Sequence, residues 1–186
     1  MLTHAQQAQL TNWLIPGAFT NIFTHVPGDG KLINDFMAAT AGKGRTITLL
    51  HVAGSSFGVP SNLPPQVIGG FNPQSWTPGE HLTPTDAERT AFIFNLTNTT
   101  IQRQNLIGQG AVDSGKVQTI AAAAVIGFGF GGGNRDIMVH WELNQGWARN
   151  YSYGGSGGAP ITMGGAADNL PTDDTFQISR IEVYTV

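Results

Sequence analysis

The stretch from Val67 to Leu96 restricts this chain more than any other. Ile68-Gly69-Gly70-Phe71 stands near one end and Ala91-Phe92-Ile93-Phe94-Asn95-Leu96 at the other. In the second segment Phe92, Phe94 and Leu96 recur every second residue. That is the period of a β-strand with one buried face. In the first, two adjacent glycines interrupt an apolar run, which marks a bend or the close approach of another backbone. The reading is two strands joined by a long polar loop, with the rest of the chain adding strands around them.

Taken in order, Thr3 is an N-cap residue type, and Leu10, Trp13 and Leu14 fall on one face of a short helix stopped by Pro16-Gly17. After the apolar run 19–26 and the turn Pro27-Gly28-Asp29-Gly30, residues 31–40 return to helical spacing through Leu32, Phe36 and Ala39. Gly42 and Gly44 end that helix. Strands are expected over 46–52, 101–106, 117–125, 136–141 and 176–186. In the last, Phe176 and Ile178 alternate with polar residues, and Ile181 and Val183 do so after a shift of phase. Residues 72–90, with Trp76, Pro78 and Pro84, read as a long polar loop with one helical turn near 86–89. The expected fold is mainly β with short helices: a two-sheet antiparallel β-sandwich flanked by N-terminal helices. The expected division is an N-terminal helix over 1–18 and one sandwich domain over 19–186.

Composition narrows the function. Nine Lys and Arg are scattered through 186 residues of net charge −3. They form no basic stripe, which argues against nucleic-acid binding. Cys is absent, which removes disulfides, thiolate metal sites and cysteine nucleophiles together. The first residues lack a basic region followed by an unbroken apolar core, and no run approaches the ~20 apolar residues that span a bilayer. A soluble chain without membrane insertion is expected.

Each motif with chemical content has a plainer explanation. Gly54-Ser55-Ser56-Phe57-Gly58 matches G-x-S-x-G, with Ser56 as nucleophile. The motif requires a helix after the turn, and the prolines at 60, 64 and 65 oppose one. A hairpin turn accounts for it better. The glycines at 127–133 are not followed by Lys-Ser/Thr, so close strand contact is favoured over a phosphate loop. His140 and Glu142 are placed on one face of a strand, but the later Cys pair of a zinc deaminase is missing. Asp168, Asp173 and Asp174 lack EF-hand spacing. No metal, cofactor or catalytic residue is assigned, and no enzymatic activity is expected. Asn95, Asn98 and Asn150 begin glycosylation sequons.

Six segments together resemble the TLDc family. They are Gly30 to Phe36, Gly44 to Leu50, Ile68 to Phe71 followed by Trp76, Ala91 to Leu96, the glycine cluster ending in Asp136-Ile137-Met138-Val139, and Phe176 to Tyr184. The resemblance implies two antiparallel sheets packed face to face. It also implies structural roles for Gly69, Gly70, Phe71, Phe92, Phe94 and Glu182, with Glu182 as a hydrogen-bond acceptor. Its relatives are linked to oxidation resistance and to a proton-pumping ATPase, and no accepted catalytic mechanism comes with it. The low charge and absence of Cys favour a non-enzymatic binding or assembly module, such as a structural or surface component of a bacterial or viral assembly. An oxidation-resistance adaptor acting through a protein partner is the alternative, and a serine hydrolase using Ser56 the third. Expected contacts are the loop aromatics Trp76, Trp147, Tyr151 and Tyr153, suited to a protein or a glycan. The helix face of Leu10, Trp13 and Leu14 is expected to serve self-assembly.

Overall fold

The computed structural model describes residues 2–13, 18–54, 63–83, 85–106, 116–120, 127–131, 136–149, 152–154, 161–162 and 174–186. Helix α1 (His4–Trp13) starts where the sequence places a cap. The Gln6 N–H donates to Thr3 Oγ1 at 3.2 Å, and the Thr3 N–H donates to Gln6 Oε1 at 2.9 Å. Two N-terminal donors are thereby satisfied reciprocally. Then follow β1 (Thr20–His25), α2 (Ile33–Thr40), β2 (Thr46–Ala53), β3 (Gln66–Asn72), β4 (Gly79–Leu82), β5 (Phe92–Asn95), β6 (Thr100–Arg103), β7 (Lys116–Ile120), β8 (Phe128–Phe130), β9 (Ile137–Val139), β10 (Gln145–Ala148) and β11 (Asp174–Thr185).

The strands form one antiparallel sheet in the order β4-β7-β8-β9-β10-β11-β2-β3-β5-β6, with β1 also paired to β11. Strand β11 organises it. Along one edge it pairs with β2; along the other, β10 and then β1 lie end to end. Its register with β2 shifts between Ile178 and Arg180. This bulge is the shift of phase visible in the sequence, because one extra residue exchanges the faces of everything beyond it.

The expected pair of sheets is realised as one sheet folded over, its two halves facing across a shared core. The core draws Leu50, Val52, Ile68 and Ile93 from one half and Phe128, Phe130, Ile137 and Val139 from the other. Gly69 and Gly70 permit the approach. A Cβ on Gly70 would lie 2.6 Å from the Phe130 ring, and one on Gly69 would lie 2.0 Å from the Thr48 carbonyl oxygen. Arg89 joins the segments that follow β4 and β6, the first and last strands of the order. Its Nε donates to the Thr83 carbonyl at 3.0 Å and its Nη1 to that of Asn105 at 3.2 Å.

Helix α2 packs its Phe36 into this core. The Phe36 ring stacks on Phe128 at 3.9 Å and meets Phe23 and Trp76 edge-on. The Asp35 carboxylate accepts the Leu32 N–H at 2.9 Å, so Leu32 is the exposed N-cap position and not part of the apolar stripe.

Four further expectations are corrected. Segment 72–90 is more than a loop: beside the helical turn expected near 86–89, present as a 3₁₀ turn at Asp86–Glu88, it holds the strand β4. Alternation along β5 does not mark one solvated face. Phe92 and Phe94 pack on one side and Ile93 on the other, and all are buried. Polar His and Glu at 140 and 142 do not extend a strand, because β9 ends at Val139. The His140 N–H donates to the Gln145 carbonyl and the Leu143 N–H to the His140 carbonyl, which closes a turn. Trp76 is not an exposed loop aromatic. It is 1% exposed, and its indole N–H donates to Thr46 Oγ1 at 3.1 Å. Burial removes its large ring from water while its one donor keeps a partner.

Candidate docking face

The strands β2, β3, β5 and β11 turn alternate side chains away from the shared core. Ile47, Leu49, Phe71, Phe92, Phe94 and Tyr184 thus form a second apolar cluster on the outer face. Among the described residues several groups cover or border it, Phe19 and Val186 included. In the middle lies α1, which adds the buried Leu10, with Leu2 just ahead of it. Trp13 is half-buried, its ring centroid 5.9 Å from that of Phe94. At one end Phe71 and Phe92 stack at 5.2 Å, with Arg45 above the first ring and Arg103 above the second. Each guanidinium offers a cation to a ring face.

At the other end sits Glu182, 2% exposed. Its Oε1 accepts from Arg180 Nη2 at 3.0 Å, and its Oε2 lies 3.3 Å from His51 Nε2. Burial by itself raises the carboxyl pKa. The donors and cations facing it, Arg180 and His51 among them, outweigh burial and hold it below the ordinary value. Tyr184 moves the opposite way: burial first, then the charge on Glu182, raises its hydroxyl. Its oxygen also receives the Leu2 N–H at 3.4 Å. The bulge in β11 places Arg180, Glu182 and Tyr184 on this face, so the same irregularity that shifts the hydrophobic phase also builds the polar cluster.

The remaining predicted contacts separate. Trp147 is half-buried on β10, with the Arg149 guanidinium 5.5 Å from its ring centroid. Tyr153 is not an exposed anchor; it is fully buried, and burial followed by the charge of Asp136 pushes its hydroxyl well up. Asp136 is the reason that segment is drawn inward. Its buried carboxylate accepts the N–H groups of Ser152 and Tyr153 at 2.8–3.0 Å. Leu14, Tyr151 and Ser56 lie outside the described residues, as do Asp168, Asp173 and Asn150. Asn95 is buried and donates to the Ile161 carbonyl and to Gln66, so that sequon is a structural amide. At the start of the glycine cluster, a Cβ on Gly127 would stand 1.8 Å from the Val139 carbonyl oxygen, the close strand contact expected there.

Sequence reasoning missed three groups that hold the fold: Arg89, Asp136 and the pair His25–Asp29. In the last, His25 Nδ1 lies 2.8 Å from Asp29 Oδ1. Asp29 also accepts the N–H groups of Val26 and Lys31. Burial opposes its charge, but these bonds together hold its pKa well below the usual carboxylate range. Only the Asp29 turn carried a signal, since Pro-Gly-Asp-Gly favours a side chain that bonds its own backbone. The dyad has the outline of an oriented base. His25 is nevertheless 2% exposed, and its Nε2 meets no hydrogen-bond partner among the described residues. No three metal-ligating side chains cluster among the described residues, and no helix there is long and apolar enough to cross a membrane.

The family model of the TLDc domain matches residues 18–186. The chain belongs to the TLDc domain family. No curated protein matches it. Within the TLDc domain lie both halves of the sheet, α2 and the Glu182 cluster. Helix α1, His4–Trp13, lies outside the matched residues.

Proposed function

We propose that this chain is a non-enzymatic binding and assembly module, a structural or surface component that meets a protein through the outer face of β2, β3, β5 and β11. One observation carries the reading. An aromatic sheet face of the TLDc domain is covered by a helix from outside the matched residues, through few side chains. Such a face favours a protein ligand, because an amphipathic helix laid on an apolar surface is a recurring recognition mode. A glycan is less favoured than the sequence suggested, since Trp76 and Tyr153 lie in the interior and offer no stacking platform. Trp147 beside Arg149 is the second contact point.

The absence of catalysis is part of the same proposal. Asp136, Glu182 and Asp29 are each engaged in holding a loop, a sheet face or a turn. An oxidation-resistance adaptor, which without Cys has no thiol chemistry of its own, would use the same face for its partner, a proton-pump subunit being one candidate.

The test is native mass over a concentration series, together with capture of partners on the immobilised protein. Wild type is expected to assemble or to capture a protein, and Trp13→Ala or Trp147→Ala to weaken it. If neither change alters assembly or capture, this contact assignment is wrong.

A further inference from the structure

We propose that α1 is exchanged between two copies of the chain, so that the ligand of each outer face is the helix of its partner. This rests on the assembly reading above and names the partner.

Hydrogen bonding makes the exchange feasible. Residues Thr3–Trp13 bond among themselves, through the helix, the Thr3–Gln6 cap and the bond from Thr11 Oγ1 to the Gln7 carbonyl. Lifting the helix therefore leaves no backbone group of those residues without its partner. The seat keeps its shape as well. Its strands are held by ladders that do not involve α1, with Ile47 opposite Phe71 and Phe71 opposite Phe92. What the exchange must restore is apolar contact over Ile47, Leu49, Phe92, Phe94 and Tyr184, together with the bond from the Leu2 N–H to the Tyr184 hydroxyl.

Specificity points to a second copy. The one sequence known to fit this face is α1, with Leu10 buried in it and Trp13 against Phe94. A second copy supplies the same side chains in the same geometry. Reciprocal exchange then closes on a twofold axis with no new complementarity required. The helix sequence HAQQAQLTNW contains no Asp, Glu, Lys or Arg, so two helices crossing between copies bring no fixed like charges together. The added cost is the entropy of association, which makes the exchange depend on concentration.

The test uses the absence of Cys. One full-length chain carries Trp13→Cys and another Phe94→Cys. They are mixed, unfolded in urea, refolded together and treated with a short bis-maleimide. A covalent heterodimer is expected, and adding Leu10→Asp to the Trp13→Cys chain should remove it. A chain carrying both substitutions reports whether the two positions meet at all. If that chain cross-links within itself and the mixture gives no heterodimer at any concentration, the exchange is overturned. If neither sample cross-links, α1 does not rest on Phe94 in either arrangement, and the inference falls too. Wild-type native mass that rises with concentration without a heterodimer overturns the exchange alone and leaves the assembly reading standing.

Discussion

The inner and outer faces of β2, β3 and β5 are both largely buried, with His51 and Val67 of the outer face part-exposed, yet they are closed in different ways. The inner face is closed by β8, β9, α2 and Trp76. Of these, β8 and β9 belong to the sheet itself, so uncovering it means breaking strand ladders. The outer face is closed in its middle by one ten-residue helix whose hydrogen bonds are internal. Burial alone does not distinguish them; the consequence of uncovering each does. A side chain lost from the inner face weakens the whole domain. A side chain lost from α1 is expected to weaken chiefly the seat of α1, because the ladders of the sheet do not involve that helix.

The largest effect should come from the inner face. Phe36→Ala removes a ring that touches Phe128, Phe23 and Trp76. Truncation of a buried aromatic costs about 3–5 kcal/mol, a large share of the ~5–15 kcal/mol that holds a domain together. The urea midpoint should fall steeply. A fall of the size of a surface change would mean that the inner core does not close on α2.

Next in size is Gly69→Ala. The added Cβ meets the Thr48 carbonyl, a backbone atom that cannot swing aside. The cost should reach about 1–3 kcal/mol or more. It should exceed that of alanine at an exposed strand site such as Thr100, which serves as the control in the same urea series.

Leu10→Ala should cost less than its full burial implies. A leucine truncation costs ~2–5 kcal/mol where the surroundings cannot relax. Here the loss cannot exceed the free energy that seats α1. The expected result is a drop of about 2 kcal/mol or less, with amide exchange accelerated in residues 4–13 and unchanged in β2 and β11. Equal acceleration throughout would erase the distinction between the two faces.

The sequence carried the ladder better than the layers. Strands with a clear run, such as 46–52 and 176–186, were legible because pattern and register are local properties. The phase shift in the last strand was visible because a bulge leaves a mark in the alternation. Trp76 was not legible. Its neighbours are polar, and only the fold reveals that the segment dips into the core to meet Thr46 and Phe36. Phe92 and Phe94 misled for the opposite reason. A strand covered on both faces reads much like one covered on a single face when Asn95 sits among its residues, and here the amide is buried because Gln66 and Ile161 receive it. Helix α1 was legible as an apolar stripe through Leu10 and Trp13, but no local pattern says whether such a stripe covers its own chain or another. The carboxylates that tie loops, Asp136 above all, left no signal because their partners are backbone N–H groups far along the chain.

The smallest effect expected is at Glu182, and it sharpens the comparison through pH. The folded carboxyl lies below its ordinary value of 4.5. The folded state therefore binds fewer protons than the unfolded chain as pH falls through that range. Such a group contributes stability that is fully present above the unfolded pKa and is lost as pH falls through the lower, folded one. Glu182→Gln keeps the shape and removes the charge that Arg180 and His51 face. Near neutral pH the variant should be modestly less stable than wild type, and the gap should close as the pH falls through the lowered carboxyl value of the folded protein. Asp29, also held low, remains in both proteins, so the difference between the two stability curves isolates Glu182. The curves are measured as urea midpoints from pH 7 down to the acid limb. If they run parallel throughout, the carboxylate is not stabilised by its partners. The polar end of the outer face would then hold α1 no more firmly than its apolar middle does.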